Sequence, residues 1–287
     1  MIMLVGLWTR LLGFPQVAIT KAYFIIFDNF TAIIRFQAMT DNTKRFADHV
    51  NDYIKYRPSY PQQMLKVLEQ RISFNKGKIV ADIGSGTGLS SIPFLENGNK
   101  VFAVEPNEEM RAAQERMLAQ FNQFTSINGT AESTTLADHS VDIIFSGQAF
   151  HWFDKIASKE EFRRILKPDG TIVLVWNSRS TRSAFQVAYE KILYDTIEEY
   201  KTVNHRNVDE KIISDFFLPQ EMESATIANS QVFDLDGLKG RLKSSSYCPK
   251  AGVALEELMS RIDGLFSKFE DRGKVEFVYD TIMFWSK

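Results

Sequence analysis

The chain has a single cysteine, Cys248, among 287 residues, so no disulfide can form within it and no multi-cysteine metal site is available. Histidine is scarce as well. The four, at 49, 139, 151 and 205, lack the close pairing of a zinc motif, and no metal is expected. Neither charge sign dominates: a net charge of −2 leaves no electrostatic footprint for DNA or RNA. There is no internal repeat and no low-complexity linker. What remains is an ordinary α/β composition, with 44% hydrophobic and 24% charged residues, and a reducing, cytoplasmic setting is the default. Aromatics are the surplus. Twenty-three phenylalanines suffice for a sizeable core and an aromatic-lined pocket.

Residues 1–38 stand apart, apolar and aromatic, with Arg10, Lys21, Asp28 and Arg35 as the only charges. Leu11 to Thr20, the longest uncharged stretch after Arg10, is too short to span a bilayer, so no membrane span is expected. Neither a clear n-region nor a clear cleavage site marks a secretory signal. Three readings stay open: translation read from upstream of a true start at Met39, genuine packing, or a peripheral anchor.

From residue 39 the pattern predicts one α/β domain, with residues 40–60 as an N-terminal cap. Strands are expected at Ile79 to Ile83, Val101 to Val104, Thr125 to Asn128, Val141 to Phe145 and Thr171 to Trp176. Helical segments lie between them, including one that Ser158-x-x-Glu161 would open as a capping box. Such alternation indicates a doubly wound, mostly parallel sheet whose carboxyl edge carries the ligand. Residues 180–270 read as mainly helical elements on the substrate side. Strands near Thr226 to Phe233 and Lys274 to Trp285 predict an antiparallel closing hairpin.

The chemistry concentrates after the first strand. Val80 to Gly88 reads VADIGSGTG, with glycines at 84, 86 and 88 and Asp82 two residues ahead. A dinucleotide fingerprint would put its third glycine at 89, which is Leu. A carboxylate beside the loop suits a cationic ligand and repels a pyrophosphate. Glu105, ending the second strand, sits where ribose hydroxyls are bound. S-adenosyl-L-methionine, with a ribose, an ammonium and a sulfonium, fits this pattern better than NAD.

Taken in order, YIKYRPSYP, VADIGSGTG, VFAVEPNEEM, NGTAE, VDIIFSGQAFHWFD and ILKPDGTIVLVW resemble the class I S-adenosylmethionine-dependent methyltransferases, particularly the trans-aconitate methyltransferase-like small-molecule group. The C-terminal SSSY and VEFVYDTIMFW extend the resemblance. It implies a seven-stranded Rossmann-like sheet with an antiparallel last strand and helical lid elements. It implies cofactor contacts at Asp82, Gly84, Gly86, Gly88, Glu105, Ala131, Glu132 and Gln148. Met110 is either an adenine contact or core. The expected reaction is methyl transfer to a small molecule, an acidic one among the candidates, at a carboxylate or hydroxyl oxygen.

On the acceptor side, His151 is either a base or a packed structural histidine, and Trp152 a pocket wall or core. Tyr53, Tyr56 and Tyr60 surround Arg57, which either clamps a carboxylate or forms a surface ion pair. A non-catalytic S-adenosylmethionine-binding regulatory protein is the alternative. No base-flipping Asn-Pro-Pro-Tyr run follows strand four, which argues against nucleic-acid substrates. Oligomeric state is not encoded in any of these features.

Overall fold

The computed structural model describes residues 55–202, 210–245 and 247–286. The expected leader at 1–38, most of the cap and Tyr53 lie outside the described residues.

Strands β1 (Val80–Ile83), β2 (Val101–Val104), β3 (Phe124–Ile127), β4 (Val141–Gly147), β5 (Leu166–Arg179), β6 (Met222–Phe233) and β7 (Val275–Ser286) form one sheet in the order β3-β2-β1-β4-β5-β7-β6. The pairs β1–β2, β1–β4, β2–β3 and β4–β5 are parallel, whereas β7 pairs antiparallel with both β5 and β6. Only β7, then, opposes the other strands. This is the seven-stranded, mostly parallel architecture that the sequence pattern predicts. The chain moves outward from β1 through β2 to β3, then returns to place β4 on the other side of β1. The crevice at that reversal, beyond the strands' carboxyl ends, is where such sheets bind ligands.

Helices α1 (Gln63–Ile72), α2 (Ile92–Glu96), α3 (Glu108–Leu118), α4 (Lys155–Ile165), α5 (Ala184–Thr196), α6 (Glu198–Thr202), α7 (Glu210–Phe217), α8 (Leu235–Lys243) and α9 (Val253–Phe269) complete the described elements. Strand residues point alternately to two cores. Val80, Phe145, Val173, Val175, Met283 and Trp285 pack with Met64 and Leu68 of α1 and Phe94 of α2. Ala81, Ile144, Leu174 and Phe284 pack with Phe162 of α4 and Phe216 of α7. A third cluster unites α5, α8 and α9 with the outer ends of β6 and β7, through Tyr189, Leu242, Leu265 and Phe277. Coverage of both faces explains why β1 reads as an unbroken apolar run around one acid.

Two sequence expectations change locally. Ser158 and Glu161 do not form a capping box. Asp154 caps α4 instead, accepting from Ile156 N and Ala157 N at 3.0 and 3.1 Å. Glu161 turns inward, where its Oε1 accepts from Thr134 N (2.7 Å) and Thr134 Oγ1 (2.5 Å) and pairs with Arg164. The helix thus begins one turn earlier than the sequence motif suggests. Strand five is also longer than expected. Its register jumps from Val141↔Leu166 to Ile143↔Thr171, so Lys167 to Gly170 bulges out of the ladder. Asp142 fastens the bulge, accepting from Lys167 Nζ (2.8 Å) and Ile79 N (2.9 Å).

The Arg164 guanidinium, followed by the Thr134 donors, holds the Glu161 carboxyl down from 4.5 to about 2. A depressed carboxylate contributes stability above its ordinary pKa and loses it as pH falls through the depressed value. Glu161→Gln is therefore expected to cost about 1–3 kcal/mol at pH 7. It should also flatten the acid loss of stability between pH 4.5 and 2. Urea unfolding across that range checks this; identical slopes in both proteins would clear Glu161 of the role.

Candidate cofactor and acceptor site

The loop after β1 is held against β2 by backbone bonds: Gly84 N and Ser85 N both donate to Val104 O, at 2.9 and 3.2 Å. Gly88 adopts φ +87°, and a Cβ there would fall 2.6 Å from Leu118 Cδ1 of α3. Its bareness serves packing. Gly86 is different. Its φ is +56°, yet a Cβ would meet nothing within 4 Å. The backbone at Gly86 therefore faces open space, as a loop passing under a ligand would.

Glu105 closes the other side of this space. It is buried, and its Oε2 accepts from Gly86 N (2.9 Å) while Oε1 accepts from Asn107 N (2.8 Å). Each oxygen of a carboxylate can accept twice, so each keeps a lone pair for a further donor. Burial pushes the Glu105 carboxyl up, opposed by the Asn107 and Gly86 donors and by Arg111. Asn107 also caps α3, its Oδ1 accepting from Met110 N at 2.9 Å. Met110 itself is buried beside Ala113 on the inner face of α3.

Asp82 lies fully buried at the end of β1. Its Oδ2 accepts from Ser90 Oγ and Ser91 Oγ, both at 2.6 Å, while Oδ1 has no hydrogen-bond partner. Burial raises its carboxyl to about 6, against the lowering effect of the two serines. An orphaned, buried carboxylate oxygen calls for a missing donor. A cationic N–H group answers that need, which fits an ammonium-bearing ligand.

The remaining predicted contacts line the same edge. Ala131 is buried, and Glu132 Oε1 accepts from Asp154 N at 2.8 Å, tying the β3–β4 connection to α4. Gln148, at φ +60°, donates from Nε2 to Asn177 O at 3.1 Å. Ser146 Oγ, two residues earlier on β4, is buried without a hydrogen-bond partner. Tyr60 is buried edge-on to Phe145, and its ring occupies the space that a side chain at Gly147 would need.

His151 and Trp152 sit on a 3-10 turn, Phe150–Trp152, directly after β4. Their rings lie 4.6 Å apart, and both side chains reach solvent. Desolvation by neighbouring protein, then the charge of Lys155, lower the His151 pKa. Its partial exposure weakens the first effect, but both act in one direction, and the imidazole is neutral at pH 7. Lys155 secures the turn by donating to the Phe150 and Phe153 carbonyls, at 2.8 and 2.7 Å.

Arg57 is placed by backbone groups: its Nη2 donates to Ser244 O (2.8 Å), and its own carbonyl accepts from Gln231 Nε2 (3.2 Å). Tyr56 packs on Gly240 of α8. The segment before α1 is thereby strapped across β6 and α8, and Ser59 O accepts from Asn177 Nδ2 and Asn229 Nδ2. Asn177, with Thr281 donating to its Oδ1 at 2.6 Å, adjoins the candidate site and is a residue the motifs did not single out. Ser90 and Ser91, adjacent to the glycine loop, are others.

Among the described residues, no helix is long and apolar enough to cross a membrane, and no acidic, histidine and cysteine groups gather as a metal site.

Residues 81–174 match the family model described as "Methyltransferase domain". An uncharacterized methyltransferase of Mycobacterium tuberculosis is 36% identical over 142 residues, covering 50% of this chain and 56% of the relative. The chain spans about half the length of the curated relatives it matches. A candidate type II methyltransferase from Anaeromyxobacter dehalogenans aligns with a TM-score of 0.59 at 21% identity, over 80% of this chain and 97% of that one. A phosphoethanolamine N-methyltransferase from Haemonchus contortus, solved with S-adenosylhomocysteine, aligns at 0.52 and 16% identity, over 86% of this chain and 58% of its own. The fold is that of the Rossmann-like methyltransferases, and the matched segment includes β1 from Ala81, the glycine loop, Glu105 and β4.

The two glycines separate packing from binding. Gly88→Ala should destabilise the fold by about 2–4 kcal/mol, from left-handed strain plus overpacking. Gly86→Ala should cost only about 1–2 kcal/mol, the strain alone. Thermal denaturation of the pair checks this, and equal losses would contradict the open space at Gly86.

Proposed function

We propose that the protein is an S-adenosyl-L-methionine-dependent methyltransferase acting on a small molecule, at an oxygen acceptor. The observation that carries the reading is the bare Gly86 backbone beside open space, braced by Glu105, in a loop that follows the buried, unpartnered carboxylate oxygen of Asp82. The methyltransferase-domain match over this loop supports turnover rather than cofactor sensing alone. When bound, the cofactor supplies a methyl group on a sulfonium, already an excellent leaving group.

The protein's task is then placement. Glu105 has lone pairs for the ribose hydroxyls, in charge-assisted bonds. Asp82 Oδ1 takes the ammonium. Met110 and Ala131 offer apolar surface to the adenine, and Glu132 holds the adjoining loop through Asp154. Gln148, with its left-handed backbone at the end of β4, faces the acceptor side. Holding donor and acceptor in line supplies much of a bimolecular barrier, about 7–11 kcal/mol in favourable cases. Tyr56, Tyr60 and Trp152 are assigned to the acceptor's walls, with Tyr53 beyond the described residues. Arg57 orders the strap that carries those tyrosines. His151, neutral at pH 7, accepts the proton of a hydroxyl acceptor; a carboxylate acceptor needs no base.

Glu105→Ala should lower S-adenosylhomocysteine affinity at least about tenfold. His151→Ala should keep that affinity and lower turnover. Calorimetry and methyl transfer from labelled cofactor to a metabolite pool measure the two effects; unchanged affinity in the Glu105 variant would overturn the ribose assignment. Asp82 adds a pH signature. A bound ammonium stabilises the carboxylate, so its pKa of about 6 must fall on binding and protons must leave. Affinity should weaken as pH drops below 6, and calorimetry in buffers of different ionisation enthalpy should show net proton release that Asp82→Asn abolishes.

A further inference from the structure

A second polar centre lies on the same sheet face, farther out along β5. Asn177 faces Thr281 across the β5–β7 ladder, and Arg179 faces Tyr279 two residues later, about 7 Å beyond. Because Gln148 bonds to Asn177, this row continues the edge where β4 ends.

Arg179 is fully provided for. Its Nε pairs with Glu190 Oε1 at 2.8 Å, Nη1 donates to the Tyr247 hydroxyl at 2.7 Å and Nη2 to the Tyr200 hydroxyl at 2.6 Å. Tyr200 in turn donates to Glu190. Arg241, on the inner face of α8, is not. It is 4% exposed, and its Nε and Nη1 donate to the Tyr279 hydroxyl and Ser245 Oγ, both at 3.1 Å. No carboxylate pairs with it among the described residues. Among the described residues the two guanidiniums share one carboxylate, Glu190, and the Tyr247 phenol, which burial pushes up but Arg179 and Arg241 hold below its usual range, is the other group that answers them; guanidinium does not shed its proton.

Beside it stands Tyr189 of α5, 1% exposed, whose hydroxyl is buried with no hydrogen-bond partner. Both side chains flank Phe277: the Arg241 guanidinium is 6.0 Å from its ring centroid, and the Tyr189 ring 5.0 Å at 85°. A buried cation with no carboxylate partner among the described residues and an unused donor on one aromatic ring together suit an anion.

We infer that Arg241 and Tyr189 receive a carboxylate of the methyl acceptor, the guanidinium presenting N–H donors and the phenol one more. A guanidinium without a carboxylate partner matches a monoanionic carboxylate, and a planar fork suits its two oxygens. This assignment rests on the proposed methyl transfer, and it moves recognition of an acidic acceptor from Arg57 to Arg241. Arg179, engaged by Glu190 and two phenols, positions the wall around it.

The test uses the full chain loaded with S-adenosylhomocysteine and titrated calorimetrically with succinate, benzoate and octanoate, their amides, and inorganic phosphate. At least one carboxylate should bind saturably while its amide does not. Tyr189→Phe should weaken that binding about tenfold. It should leave cofactor affinity intact and the melting temperature unchanged or higher, since the lost hydroxyl had no partner. Arg241→Lys, which keeps the charge but loses the fork, should also weaken it. The inference is overturned if no carboxylate binds to protein that takes up S-adenosylhomocysteine, if Tyr189→Phe binds as tightly as wild type, or if phosphate binds as well as the carboxylates. Failure to bind S-adenosylhomocysteine is read separately and would sink the proposed function instead.

Discussion

One carboxylate organises the donor half of the proposed site. Glu105 accepts from Gly86 on the β1 loop and from Asn107 on the β2 loop, so two separate turns take their positions from a single side chain. The Asn107 turn then caps α3, whose Leu118 packs under Gly88. Loop, cap and helix close into a ring around the carboxylate. Burial costs this group some of its preference for charge, and the backbone donors offset that cost. A charge held in this way is preorganised: it does not have to abandon water when a hydroxyl-bearing ligand arrives.

The proposed acceptor half uses different physics. No glycine loop shapes it; instead a strap of residues 55–60 crosses β6 and α8 and is sewn down by Ser59, Arg57 and Tyr56. Asn177 and Thr281 form the seam between the two halves. The donor half sits over parallel strands whose packing is shared by two cores. The acceptor half sits over the antiparallel β5–β7–β6 ladder and has its own third core of aromatic residues.

These differences explain what could be read from the sequence. The glycine loop, Asp82 and Glu105 are adjacent in sequence to the strands that carry them, so spacing alone exposes them. The parallel sheet was legible for a related reason, since strands buried on both faces are continuous apolar runs. Asp154 escaped notice because Ser158-x-x-Glu161 imitates a cap, and only tertiary contact with Thr134 draws Glu161 inward. The Lys167 to Gly170 turn hid a bulge, because register depends on the neighbouring strand. Arg241 and Tyr189 come from helices about fifty residues apart and meet only on Phe277. A weak local signal existed: Arg241 shares the buried side of α8 with Leu238 and Leu242, and Tyr189 that of α5 with Phe185 and Leu193. A charged residue on an apolar stripe says that something must compensate it, but not what.

The place of β7 in the sheet sets an order of assembly. Within the described sheet β6 hydrogen-bonds only to β7, and β7 is made after every other strand. On the ribosome, β1 to β5 can pair as they emerge, while β6 must wait as an unpartnered edge until residues 275–286 appear and slot between it and β5. Tyr279 and Thr281 arrive with that strand, and with them the wall around Arg241 and the seam at Asn177. The proposed donor side can therefore form in a nascent chain that still lacks the proposed acceptor side, and the two halves are completed at different moments of synthesis.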